Sequence, residues 1–254
     1  MTAPLLDVAG LSVRFGGLQA VDGVSFEVGR NEIVGLIGPN GAGKTTIFNT
    51  LCGVVNASAG RIVFADRDMT GLAPELVAQL GIARTFQNVR LFGELSLREN
   101  VMMGAFRAGR CGLFASMLRL GVHRRLERIA AARADDWLQR LGLGSYADMP
   151  ATALPFGLQR VAEIARAMAS EPALVLLDEP AAGLNEVEKY QLAHILRDIV
   201  RETACSVLLV EHNMPLVMGL VDRVVVLDFG RKIADGLPDE VARCPAVVEA
   251  YLGA

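Results

Sequence analysis

Three runs, EIVGLIG, ALVLLDEP and SVLLVEHN, are short and almost continuously apolar, the pattern of strands buried on both faces of a parallel sheet. Ahead of the first, LSVRFGG and VSFEVGRN are β-rich runs broken by glycine and aspartate turn signals, which predict a small antiparallel sheet leading into the EIVGLIG strand. GKTTIFNTLCGVV then has helical character, RIVFADRDM reads as a return to strand, and ELVAQLGIARTFQ reads as a helix followed by another strand. Such alternation belongs to an α/β domain. From about residue 95 to 170 the β-branched runs vanish, and leucine, alanine, arginine and glutamate dominate, as in RRLERIAAARADDWLQRLGL. That shift predicts a helical subdomain. QLAHILRDIVRE supplies the helix between the last two apolar strands, RVVVLDFGRKIADG predicts a hairpin, and PDEVARCPAVVEAYLGA predicts short terminal helices.

The chain has 254 residues, 52% of them hydrophobic, enough for one large α/β domain with subdomains, with apolar surface left over for a protein partner. Its 28 acidic and 25 basic residues nearly cancel to a net charge of −3, which argues against nucleic acid as a partner. Cys52, Cys111, Cys205 and Cys244 lack CxxC spacing and read as reduced thiols. MTAPLLDVAG lacks the basic start of a secretory signal, and no stretch approaches the roughly 18 apolar residues needed to span a bilayer. The expectation is a protein that is soluble by itself.

The chemistry is carried first by Gly38, Pro39, Asn40, Gly41, Ala42, Gly43, Lys44, Thr45 and Thr46, a G-x-x-x-x-G-K-[ST] motif between a strand and a helix. Its glycines let consecutive N–H groups face a phosphate at the positive end of the helix. Lys44 reaches the β- and γ-phosphates, and the Thr45 hydroxyl is a Mg²⁺ ligand. ALVLLDEP places Asp178 at the end of a buried strand as a second metal partner, with Glu179 next to it as a base for the attacking water.

RTFQN, LPFGLQR and VEHN, in that order around the DE strand, give the chain a close resemblance over essentially its whole length to the nucleotide-binding subunits of ABC transporters. Within them it most resembles the ATPases of branched-chain amino-acid importers, through RTFQNVRLF, LDEPAAGLN, VEHNM and the closing EAYLG. The resemblance implies an α/β fold: a RecA-like P-loop NTPase core with an antiparallel β subdomain (1–88 and 171–254) and an inserted helical subdomain carrying the signature (89–170). It implies ATP and Mg²⁺ as cofactors, with Gln87 sensing the metal or the attacking water, His212 contacting the γ-phosphate and Phe15 stacking on adenine. The implied partners are a second ATPase, identical or a paralogue, in a head-to-tail dimer, two integral membrane permeases and, indirectly, a solute-binding protein. The implied location is the cytoplasmic face of the cell membrane. The segment Asn88 to Asn100, with Val89, Leu91, Phe92 and Leu95, is the expected groove for a permease helix.

LPFGLQR departs from the family's common LSGGQ. Pro155 stands for the serine, Phe156 for the first glycine and Leu158 for the glutamine, leaving Gly157 as the matching residue, acting in trans on the partner's nucleotide. The defect then falls on the opposite ATP site, so the expectation is an asymmetric pair. The rivals are a symmetric homodimer of low activity, a silent regulatory subunit and a non-transport ABC ATPase. Asn185 replaces the more common aspartate of the D-loop, Ala181 to Asn185, with hydrogen-bonding capacity retained for the dimer. Arg107, Arg110, Arg119, Arg124, Arg125, Arg128 and Arg133, with Glu127 the acid among them, mark either a face near anionic lipid or a solvated helical face.

Overall fold

Apolar side chains alternate along the first two strands, and the alternation decides which face is buried. In the computed structural model, which describes residues 3–85, 90–105 and 120–252, β1 (Leu6–Phe15) and β2 (Leu18–Val28) form an antiparallel hairpin closed by the pair Phe15 and Leu18. Leu6, Val8, Leu11 and Val13 are buried beneath it. β1 also pairs with β4 (Ala59–Phe64), and β4 with the short β5 (Arg67–Asp68), giving the sheet order β2-β1-β4-β5. RIVFADRDM is therefore a hairpin and not the single strand its composition predicts. Ala65 and Asp66 sit at φ 47° and 63°, the left-handed pair that a tight two-residue turn demands.

The second sheet has the order β10-β9-β3-β8-β7-β6. β3 (Ile33–Ile37), β6 (Ile82–Arg84), β7 (Leu174–Asp178), β8 (Ser206–Val210) and β9 (Arg223–Asp228) run parallel, and β10 (Arg231–Gly236) returns antiparallel to β9. Every residue of β3, β7 and β8 is buried because both faces are covered. Leu174 and Leu176 face α1 (Lys44–Leu51) and the antiparallel sheet, in one core with Ile47, Phe48 and Leu51. Val175 and Leu177 face a second core built with the helices.

That second core joins α3 (Leu97–Ala105), α4 (Leu120–Arg140) and α5 (Phe156–Met168) to the sheet through Val101, Trp137, Leu138, Ile164 and Met168. α2 (Pro74–Leu80) precedes β6, α6 (Glu186–Glu202) links β7 to β8, and α7 (Met214–Leu220) links β8 to β9. The chain closes with α8 (Pro238–Ala242) and α9 (Pro245–Leu252). Among the described residues no helix is long and apolar enough to cross a membrane.

Candidate functional site

Strand order brings the sequence motifs together. β8 lies between β3 and β7, so the loops leaving the carboxyl ends of these three parallel strands meet on one edge, where open α/β sheets bind ligands. The phosphate loop follows β3. Gly38 and Gly43 are required there by geometry: a Cβ at Gly38 would stand 2.1 Å from the Leu227 carbonyl, and one at Gly43, where φ is 98°, 2.7 Å from the Ala20 carbonyl. α1 starts at Lys44, whose ammonium curls back to donate to the carbonyls of Gly38 at 2.6 Å and Pro39 at 2.8 Å. Burial pulls the Lys44 pKa below its ordinary value, and the charges of Glu179 and Asp178 act against that pull. Both carboxylates therefore lie within electrostatic reach of the phosphate-loop cation. Thr45 is exposed on the first turn of α1, and Asn40 and Gly41 are exposed at the loop tip.

Asp178 closes β7, and its Oδ2 accepts from Arg84 at 2.8 Å. The same guanidinium donates to Asn49 Oδ1 at 2.7 Å and lies over the Phe48 ring at 5.8 Å. Glu179 follows with φ 49°, held by its N–H on the Val210 carbonyl at 2.9 Å and by Ala182 N–H on its own carbonyl at 3.1 Å. His212 is largely exposed, and its Nδ1 lies 3.9 Å from Glu179 Oε2 and 4.0 Å from Glu211 Oε2. The donor types suit Mg²⁺, a hard cation that takes oxygen ligands: exposed Thr45 follows Lys44, and two carboxylates act electrostatically on that lysine. Phe15 is half exposed at the tip of the β1–β2 hairpin, whose returning strand packs against Gly43.

The signature region sits elsewhere on the chain. Pro155 caps α5 with extended backbone, and the helix is intact, its first bond running from Gln159 N–H to the Pro155 carbonyl at 3.1 Å. Leu158 packs against the helical core. Gly157 is buried, and a Cβ there would stand 2.5 Å from Glu188 Oε1. Phe156 lies against Gly183 and beneath the Arg160 guanidinium, so signature and D-loop pack on each other within one chain. Asn185 makes its described hydrogen bonds within its own chain. Its Oδ1 accepts from Glu188 N–H at 3.0 Å while Glu188 Oε2 accepts from Asn185 N–H at 2.9 Å, a capping box that starts α6.

Gln87, Asn88 and Val89 lie outside the described residues, as do Arg107, Arg110, Cys111 and Arg119 and the side chain of Arg124. Arg90 N–H donates to Glu163 Oε1 of α5 at 2.8 Å. Phe92 is exposed, Leu91 is half buried against the core, and buried Asn100 donates to the carbonyls of Phe92 and Ser96. Arg133 is paired with Glu171 at 2.9 Å.

Sequence reasoning missed Arg84, Glu163 and Glu211. Arg84 gives no local signal, since its partner is 94 residues away. Glu211 was legible as a charge closing an apolar strand in VEHN. It is 1% exposed and accepts from Ala181 N–H at 2.8 Å, His212 N–H at 3.1 Å and Asn213 N–H at 3.4 Å.

Residues 21–182 match the ABC transporter family, and residues 231–254 match the branched-chain amino acid ATP-binding cassette transporter family. The chain is 45% identical over 253 residues to the high-affinity branched-chain amino acid transport ATP-binding protein LivG of Salmonella typhimurium, covering 100% of this chain and 99% of that one. Over the same shares it is 44% identical to LivG of Escherichia coli and 42% to BraF of Pseudomonas aeruginosa. Among solved structures, the ADP conformation of MJ1267, an ATP-binding cassette of an ABC transporter, superimposes with a TM-score of 0.87 at 29% identity, covering all of both chains. A nucleotide-free cassette gives 0.86 at 28% identity, covering 99% of this chain and 100% of that one.

Proposed function

The chain belongs to the ABC transporter ATP-binding family, and we propose that within it the protein powers an importer of branched-chain amino acids or related small polar solutes, with Glu179 as the hydrolytic base. The observation that carries the site is the meeting of Lys44, Asp178 and Glu179 at the carboxyl ends of β3 and β7, the parallel strands on either side of β8. The loop from Gly38 to Thr46 cradles the phosphates, with Lys44 as its side-chain cation. Thr45 and Asp178, with Gln87, hold Mg²⁺, which when bound neutralises developing phosphate charge. Glu179 orients and deprotonates the attacking water, and His212, within 4 Å of it, steadies the γ-phosphate. Phe15, exposed beside the loop, supplies the adenine platform.

The docked assembly pairs two ATPases on two permeases at the cytoplasmic face of the membrane, fed by a solute-binding protein. Nucleic acid has no part in it. Phe92 and Leu91, in the segment from Asn88 to Asn100, receive a permease helix. Crosslinks from the permease that consistently avoid this segment would refute the docking. Pro155 and Leu158 support an asymmetric pair: the helix start is intact, but one position lacks a hydroxyl and the other is turned into the core. Losing such contacts to a charged phosphate costs about 1.5–3 kcal/mol, or about one to two powers of ten in binding or rate.

The experiment is ATP binding and hydrolysis by Lys44→Ala and Glu179→Gln in the assembled transporter. Lys44→Ala loses nucleotide binding, and Glu179→Gln binds ATP without turnover. Normal turnover in Glu179→Gln moves the base elsewhere. For asymmetry, Pro155→Ser with Leu158→Gln raises the rate only when the partner's catalytic glutamate is intact, and no gain in either background defeats that reading.

A further inference from the structure

Three backbone N–H groups from two separate loops end on one buried carboxylate. Oε1 of Glu211 takes Ala181 N–H, two residues beyond Glu179, while Oε2 takes His212 N–H and Asn213 N–H. Side-chain exposure of 1% keeps Glu211 from touching a substrate. A carboxylate buried so deeply is stable only with donors of this kind, and an apolar side chain would fill the same place without that demand. The two loops it joins are the ones that hold Glu179 and His212. Glu179 also sits in the left-handed region at φ 49°, a conformation that a non-glycine residue keeps only when its surroundings hold it. Glu179 N–H on the Val210 carbonyl and Ala182 N–H on the Glu179 carbonyl hold it directly, and Glu211 adds a hold on Ala181 between them.

We infer that Glu211 is a positioning residue for ATP hydrolysis, a clamp that sets the 3.9 Å approach of His212 to Glu179 by fixing the backbone on both sides at once. The inference rests on the proposed roles of Glu179 and His212. An amide cannot replace it, because a glutamine has one acceptor oxygen and must turn its NH₂ toward one of the two loops. Glu211→Gln therefore frees either Ala181 or the His212–Asn213 pair while the phosphate loop and Lys44 are left as they are.

The test is a cycle of Glu211→Gln, His212→Ala and the double variant in the assembled transporter, reading ATP affinity, KM and kcat. Glu211→Gln is expected to lower kcat about 10- to 100-fold, the value of one hydrogen bond to a charged group, with ATP affinity held within about twofold. Added to His212→Ala, it should cost almost nothing more, because the two act as a unit. A wild-type kcat overturns the clamp. So does a loss that adds in full to that of His212→Ala, or an ATP affinity that falls in step with kcat, the mark of general damage. If Glu211→Gln does not fold, Glu211→Asp enters the same cycle: it keeps the charge but is one methylene too short to span both loops. Normal turnover in Glu179→Gln defeats the base assignment separately, since the cycle contains no Glu179 variant.

Discussion

Replacing Arg84 with methionine removes the guanidinium that neutralises Asp178 while keeping an unbranched side chain over the Phe48 ring. The pair is close, at 2.8 Å, and nearly dry, with 14% and 7% of the two side chains exposed. At about 4 Å between charges and an effective dielectric of about 20, the attraction is about 4 kcal/mol. Desolvating the two ions costs several kcal/mol each, so the intact pair contributes little net stability. Breaking it is another matter, because Asp178 then stays buried without its partner, at a cost of about 3–5 kcal/mol. For a chain of this size each kcal/mol moves the melting temperature by about 2–4 °C, so Arg84→Met should melt about 10 °C lower. The charge argument makes a further demand: adding Asp178→Asn removes the stranded carboxylate and should return at least half of the loss. What stays lost includes the bond to Asn49, about 1 kcal/mol, and the guanidinium's contact with the Phe48 ring. Calorimetry or urea titration of the nucleotide-free single and double variants decides it. A double variant no more stable than Arg84→Met, or a single variant within about 1 kcal/mol of wild type, refutes the reasoning.

Gly43→Ala should destabilise by about 2–3 kcal/mol and abolish ATP binding together, since φ 98° and the Ala20 carbonyl 2.7 Å away leave no room for a Cβ; denaturant titration with a nucleotide-binding assay checks both. Asn185→Ala should cost about 1 kcal/mol by opening the capping box of α6, read as a shift of the urea midpoint at constant slope. Burial pushes the Cys205 thiol up to about 12, so at pH 8 only about one molecule in ten thousand carries the reactive thiolate. Mass spectrometry after alkylation should find Cys205 unmodified until denaturant is added, and rapid labelling of the folded protein would contradict its burial.

Much of this protein is written locally. The loop from Gly38 to Thr46 is recognisable because its glycines, lysine and threonines must stand at fixed spacing between a strand and a helix, and Asp178 and Glu179 because they are a carboxylate pair closing an apolar run with such a loop upstream. The parallel strands were legible for the same reason: Leu174 to Leu177 alternate into two different cores, and only a sheet covered on both faces makes every residue apolar. Family membership followed from such motifs in order, and the matches over residues 21–182 and 231–254 bear it out. Tertiary structure alone decided which groups meet. Arg84 finds Asp178 because β6 and β7 are neighbours in register, and Glu211 reaches Ala181 because β8 lies beside β7. Asn185 turns its acceptor inward because the chain there begins a helix, and Gly157 is small because Glu188 of that helix occupies the space a Cβ would need. Spacing along the chain encodes turns, caps and strands through short-range sterics, whereas the pairing of charges on different strands depends on strand order, which no local pattern carries.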